Sequence, residues 1–215
     1  MEGEVHHSFS ASKTLVMASS NRGKLDEIRP LLAECGFELV GQGELGIGDA
    51  VENGRTFIEN ALIKARHACA ASGLPSLADD SGLIVDALGG APGLASARYA
   101  GAHGDSAANI RKLLEATADF KGSARMARFY CAIVLLRHQD DPQPLLAEGT
   151  WHGLLLQSPR GPGGFGYDPI FFDPQLGASA AQLPAELKNR VSHRGQALAR
   201  LREQLVRGSD LSRDL

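Results

Sequence analysis

Residues 127–157 read ARFYCAIVLLRHQDDPQPLLAEGTWHGLLLQ, and this stretch decides what kind of sheet the chain can build. Ala127 to Arg137 and Leu145 to Gln157 are extended apolar segments, and His138-Gln-Asp-Asp-Pro between them has the composition of a turn. Two such runs across a short polar turn form a hairpin, an antiparallel pair. Upstream the pattern differs. Thr14 to Ser19 (TLVMAS) is a short apolar run suited to a buried strand. A helical pattern follows it, with Leu25, Ile28, Leu31 and Leu32 on one side, and Phe37 to Val40 returns as a second strand. Thr56 and Glu59 make a capping box for a helix whose face continues through Leu62, Ala65 and Cys69 to Gly73. Ser76 to Ala78 is a third strand, Leu83 to Leu88 is apolar again, and Asp105 caps a helix to about Thr117. Alternating strands and helices followed by a hairpin predict an α/β protein with a mixed sheet.

Around this frame, Ile170 to Phe172 adds a short strand, and the leucines at 187, 198, 201 and 205 divide Pro184 to Val206 into two helical pieces. Pro30 interrupts the first helix, where an interior proline costs about 3 kcal/mol, so a kink or an early stop is expected there. Residues 1–13 are polar and are expected to be a leader, with 14–207 forming one catalytic domain and 208–215 a tail. The net charge of −3 offers no broad attraction to nucleic acid or anionic lipid, although it leaves room for a local basic pocket. No apolar run nears the roughly 18–20 residues of a membrane span. Cys35, Cys69 and Cys131 lie far apart without CxxC spacing, so they are expected to be buried free thiols of a cytoplasmic protein.

Five segments could carry chemistry. Ser19-Ser20-Asn21-Arg22-Gly23-Lys24 joins a strand to a helix, whose unpaired N–H groups and positive dipole can receive a phosphate, with Lys24 adding charge. It is neither a Walker A loop nor GxGxxG, and a plain capped helix is the bland alternative. Asp79-Asp80-Ser81-Gly82 ends the third strand, and adjacent acids on a strand point to opposite sides and should differ in role. One can bind a hard cation, and a carboxylate near it can deprotonate water; the alternative is a turn. Glu59 already has its capping duty, so Glu52 in the glycine-rich loop is the better second metal ligand. In Gly163-Gly164-Phe165-Gly166-Tyr167-Asp168-Pro169 the glycines admit a ligand, Phe165 and Tyr167 can stack on a base, and Asp168 can bond the base or hold the loop. Finally Lys188, His193 and Arg194 bring donors to two helix starts, with Ser192 as an N-cap; a solvated basic face is the plainer reading.

As a set, SSNRGK, TFIENALIKA, ADDSGLIVDALGGAPGLASARYAG, GPGGFGYDPIF and LKNRVSHRGQA resemble the inosine triphosphate pyrophosphatase family in order and spacing, over about residues 14–205. The resemblance implies a long twisted mixed sheet flanked by helices, two lobes with the active cleft between them, a homodimer and a requirement for Mg²⁺. It implies hydrolysis of non-standard purine triphosphates (ITP, dITP, XTP) to the monophosphate and pyrophosphate. Carried over by motif, Ser19 to Lys24 would bind phosphate, Asp80 would accept the proton and hold metal with Glu52, and Ser81 would touch substrate. Phe165 to Asp168 would face the base, and Lys188, His193 and Arg194 would hold phosphate and purine. One departure is Ser20, which stands where the family has glycine.

On this reading water attacks the α-phosphorus, with Lys24 and Lys188 offsetting charge on the leaving pyrophosphate. Donors such as His193 or Arg194 match a 6-oxo group and would face adenine's amino group unfavourably. Two other readings stand beside it: a related pyrophosphatase for modified pyrimidine or standard dNTPs, and a noncatalytic nucleotide-binding module.

Overall fold

Strand β1 (Thr14–Met17) is buried from Leu15 on and pairs in parallel with β2 (Glu38–Gly41) on one side and β3 (Ser76–Val85) on the other. These and four more strands, β4 (Met126–Leu136), β5 (Leu145–Leu155), β6 (Phe171–Asp173) and β7 (Ala178–Ser179), form a seven-stranded sheet in the order β2-β1-β3-β4-β5-β6-β7. Because β5, β6 and β7 pair antiparallel, the sheet is mixed, as the hairpin sequence predicts. The computed structural model describes residues 13–211, without the side chains of Arg22 and 207–211. The expected leader lies outside the described residues except for Lys13, and the expected tail does so from 212 onward.

The helices are α1 (Arg22–Ala33), α2 (Phe57–Ser72), α3 (Ser106–Ala116), α4 (Ala185–Val191) and α5 (His193–Leu211). Thr56 and Glu59 form the expected capping box of α2, which closes at Gly73 with φ +68°. Asp105 caps α3, and Ser192 Oγ accepts from Gly195 N at the start of α5. Two expectations are corrected. First, of the kink or early stop expected at Pro30, the early stop does not occur: α1 runs three residues past Pro30, whose missing N–H removes a single intrahelical bond. Second, Asp79-Asp80-Ser81-Gly82 is not a turn after a strand ending at Ala78. The strand continues to Val85 with Asp79, Asp80, Leu83 and Val85 buried, so burial on both sides outweighs the turn composition. None of the described helices is long and apolar enough to cross a membrane. Cys69 and Cys131 are buried free thiols, whereas Cys35 is only half-buried because it sits just beyond the end of α1.

The chain divides into two compact units, one comprising the residues up to Asp80, Ala132–Ala147 and those from Leu198 on, the other Ser81–Cys131 and Glu148–Ala197. The first has a core of Val16, Ala18, Ala78, Val134 and Leu136 packed with Ala61, Ala65, Ala68 and Cys69 of α2. That face is nearly all alanine, which lets the helix backbone approach the strands closely. The second centres on Leu83, Val85, Leu113, Phe129, Trp151, Tyr167, Ile170 and Phe171, with the rings of Phe129 and Phe171 4.6 Å apart.

The turn between β4 and β5 is held by one buried acid. Asp141 accepts from Arg137 N at 3.0 Å and Nε at 2.8 Å through Oδ2, and from Arg137 Nη2 at 2.5 Å and Gln143 N at 3.0 Å through Oδ1. The guanidinium hydrogen bonds, helped by the two amides, hold its carboxyl below the usual range despite burial. A depressed folded-state pKa stabilises above the unfolded value and loses that contribution as pH falls toward the folded one. Asp141→Asn is therefore expected to cost about 2 kcal/mol at pH 7. In urea titrations the gap to wild type should narrow below about pH 4, the unfolded carboxylate's range.

Candidate active site

Three elements of the first unit bring their charged groups together. Asp79 and Asp80 are neighbours on β3, and their carboxylates reach different helices, as alternating strand side chains should. Asp79 is fully buried and pairs with Lys24 of α1 at 3.1 Å. Asp80 pairs with Lys64 of α2 at 2.9 Å and accepts from Asn60 Nδ2 at 3.3 Å. Lys64 Nζ also lies 3.4 Å from Glu52 Oε1, so Glu52 and Asp80 converge on one cation.

Lys24 and Lys64 carry two positive charges against three carboxylates, Glu52, Asp79 and Asp80, leaving one negative charge in excess. Burial raises the Asp80 carboxyl pKa, and the Lys64 and Lys24 ammoniums only partly reverse it. For Lys64, burial is the largest single influence and pulls downward. The combined attraction of Asp80, Asp79 and Glu52 outweighs it and holds the ammonium firmly charged. Among the described residues no group of three or more His, Cys, Asp or Glu side chains could cage a metal. Two carboxylates aimed at one cationic position suit an ion that draws its remaining ligands from phosphate and water, which is the habit of Mg²⁺.

Lys24 is placed by the turn before α1. Asn21 Oδ1 accepts from Lys24 N at 3.2 Å as the N-cap, and Ser19 Oγ accepts from Asn21 N at 3.2 Å. Ser20 Oγ donates to Asp49 Oδ1 at 2.7 Å, so its proton is spent on the neighbouring loop. Arg22 and Gly23 are the first residues of α1.

In the second unit the GFGYDP loop is organised by Asp168. This buried carboxylate accepts from Phe165 N and pairs with Lys188 Nζ of α4, both at 2.8 Å through Oδ2. Gly164 has φ +72°, and a Cβ there would collide with the same carboxylate, so only glycine lets the loop close over it. Asp168 thus holds the loop, one of the two roles the sequence left open. Phe165 is 40% exposed, with Lys188 Nζ 4.7 Å and Arg194 Cζ 5.7 Å from its ring centroid. Tyr167 is in the core, where its hydroxyl donates to Ser96 O at 2.9 Å, so its ring is not available to a base. It positions the loop instead, and Gly166, at φ +60°, makes the bend between the two aromatics. His193 is buried, with its ring stacked on Phe129 at 4.8 Å and 12°. Ser81, half-buried, follows Asp80 on β3.

Of the residues expected from sequence, Lys24, Glu52, Asp79 and Asp80 come together in the first unit, and Phe165, Asp168, Lys188 and Arg194 in the second. Sequence reasoning missed Asn60, Lys64 and Phe129. The first two had a legible signal. They lie four apart on α2 directly beside the core positions Ala61 and Ala65, and a lysine so placed is almost never buried without a partner. Phe129 is indistinguishable by sequence from any inward-facing aromatic of β4.

The model of the Ham1 family matches residues 15–204. A dITP/XTP pyrophosphatase of Xylella fastidiosa strain Temecula1 is 62% identical over 90% of this chain and 97% of its own length. One from Shigella flexneri is 52% identical over 90% and 98%. Among solved structures, a HAM1 protein from Coxiella burnetii superposes with a TM-score of 0.84 at 47% identity, covering 90% of this chain and 98% of that one. The dITP/XTP pyrophosphatase of Mycobacterium abscessus does so at 0.72 and 44% identity, covering 87% and 98%.

Proposed function

Because the chain belongs to the Ham1 family, we propose that it is a dITP/XTP pyrophosphatase, hydrolysing non-standard purine nucleoside triphosphates, ITP included, to monophosphate and pyrophosphate. The observation that carries the reading is the convergence of Glu52 and Asp80 on the Lys64 ammonium, which places the two acids side by side, next to the Lys24–Asp79 pair. A binding module has no need of a buried carboxylate set beside a second acid and oriented by an amide; a hydrolase that must deprotonate water does.

Glu52 and Asp80 would hold Mg²⁺, which when bound neutralises phosphate charge and polarises the P–O bonds. Asp80 takes the proton from the water that attacks the α-phosphorus. Asn60 fixes the orientation of its carboxylate through Oδ2, and Lys64 keeps a positive charge on Oδ1. Lys24, held by Asp79 at the opening of α1, stabilises the charge that develops on the departing pyrophosphate, alongside the positive end of the helix dipole. Lys188 serves the base loop rather than the leaving group, because its ammonium is committed to Asp168 beneath Phe165.

Base recognition falls to Phe165 and the donors His193 and Arg194. Phe165 offers an exposed face for stacking, and donors matched to a 6-oxo acceptor reject adenine's amino group. Guanine shares the 6-oxo group, so rejection of GTP rests on the 2-position. The enzyme is taken to act in the cytoplasm as a homodimer, on the strength of the family resemblance.

The test is pyrophosphate release from ITP, dITP, XTP, GTP, ATP and dUTP, with Mg²⁺ and with EDTA. Release confined to ITP, dITP and XTP and abolished by EDTA is the expected result. Activity confined to dUTP or standard nucleotides would overturn the specificity, and no release from any would favour the binding module.

A further inference from the structure

Loop 46–55 carries Glu52 between the 3₁₀ turn at Gln42–Leu45 and the α2 cap, and it holds a glycine at 46, 48 and 54. A glycine-rich loop of this length without regular structure is costly to order, so what holds it is informative. Besides the Glu52–Lys64 pair, side chains from outside the loop hold it at three places. Gly48 O lies 2.9 Å from His67 Nε2 of α2. Gly54 N donates to Asn60 Oδ1 at 2.9 Å, and the other end of that amide bonds Asp80. Between these, Asp49 Oδ1 accepts from Ser20 Oγ at 2.7 Å and from Gln42 Nε2 at 2.5 Å, while Gln42 Nε2 also reaches Ser20 Oγ at 3.3 Å. Gln42 is only 2% exposed, so its amide is a fixed post rather than a waving side chain.

The triangle joins the loop to the residue that immediately precedes the N-cap of α1. With the Asn60 link, it ties both candidate metal ligands and the phosphate-facing turn into one frame. We infer that Ser20, Gln42 and Asp49 form a clasp, and that Gln42 and Asp49 are positioning residues that hold the Glu52 loop ready before substrate arrives. The inference rests on the reading of Glu52 and Asp80 as the metal-binding pair. Both hydrogen bonds to Asp49 end on a single oxygen, so the clasp needs an acceptor and not a charge. A serine in place of glycine at position 20 then has a physical role, since glycine has no hydroxyl to close the triangle.

This separates the clasp from its chief rival, Asp49 as a further metal ligand. Asp49→Asn keeps the accepting oxygen and removes the charge, whereas Asp49→Ala removes both. Hydrogen exchange of the amides at 46–54, measured on the full chain without Mg²⁺ or nucleotide, should be about tenfold faster in Asp49→Ala and close to wild type in Asp49→Asn. With dITP, Asp49→Ala should raise the Mg²⁺ concentration for half-maximal rate about five- to tenfold with kcat changed less than about threefold, and Asp49→Asn should restore it. Wild-type exchange in Asp49→Ala overturns the clasp. Equal impairment of Mg²⁺ activation in both variants overturns it in favour of a ligand. Asp80→Asn in parallel guards the premise: if that variant keeps its turnover, the reading of the site fails while the exchange result still judges the clasp.

Discussion

Replacing Asp80 by asparagine is expected to lower dITP turnover about 10³-fold, within the range that a general base contributes. The protein should stay folded. Asparagine keeps one accepting oxygen for Lys64 Nζ at 2.9 Å and gives up only the longer contact from Asn60 Nδ2 at 3.3 Å. The variant also removes a charge that burial disfavours, which offsets the loss to Lys64 of one of its carboxylate neighbours. Lys64 is left with Glu52 at 3.4 Å and does not become an isolated buried cation. The contrast with Asp79→Asn is sharper than adjacency in sequence suggests. Asp79 is fully buried against Lys24, so its loss frees the lysine to move and should act through Lys24 and through stability together. Pyrophosphate release and circular dichroism on both variants check the assignment. Turnover of Asp80→Asn within tenfold of wild type, with intact structure, would remove Asp80 from the chemistry.

Much of this site was legible in the sequence, for identifiable reasons. Strand alternation and the hairpin gave the mixed sheet, because apolar runs and turn residues act locally. The capping box at Thr56–Glu59 and the N-cap at Asp105 declare themselves for the same reason. The acids 79 and 80 and the loop acid 52 were legible as residue types in unusual surroundings. What escaped were properties that only tertiary placement creates. Lys64 gains its meaning from two carboxylates distant in sequence, Glu52 and Asp80. Tyr167 was expected at the base because it adjoins Phe165, yet its ring is buried in the core and its hydroxyl donates to the backbone carbonyl of Ser96, 71 residues away in sequence. The strand expected to end at Ala78 runs on to Val85, because the composition of Asp79–Gly82 favours a turn while burial on both sides favours continued strand.

Lys188→Met is expected to destabilise the protein by about 3–5 kcal/mol, the usual cost of stripping one partner from a buried ion pair. Lys188 and Asp168 are 7% and 3% exposed, and methionine would strip the ammonium from Asp168 while the Phe165 amide still donates to it at 2.8 Å. Removing both charges costs far less than removing one, so Lys188→Met/Asp168→Asn should recover most of the lost stability. This rescue divides structure from recognition. If Lys188 only braces the loop, the double variant recovers KM for dITP together with its urea midpoint. If the ammonium also strengthens stacking by its position 4.7 Å from the Phe165 ring, the midpoint returns while KM stays raised about tenfold or more. The second outcome is the expected one. Arg194, 5.7 Å from the same ring, remains in both variants, which is why a residual preference for the 6-oxo purines should survive. Full recovery of KM in the double variant would confine Lys188 to a structural role and leave base recognition to Phe165, His193 and Arg194.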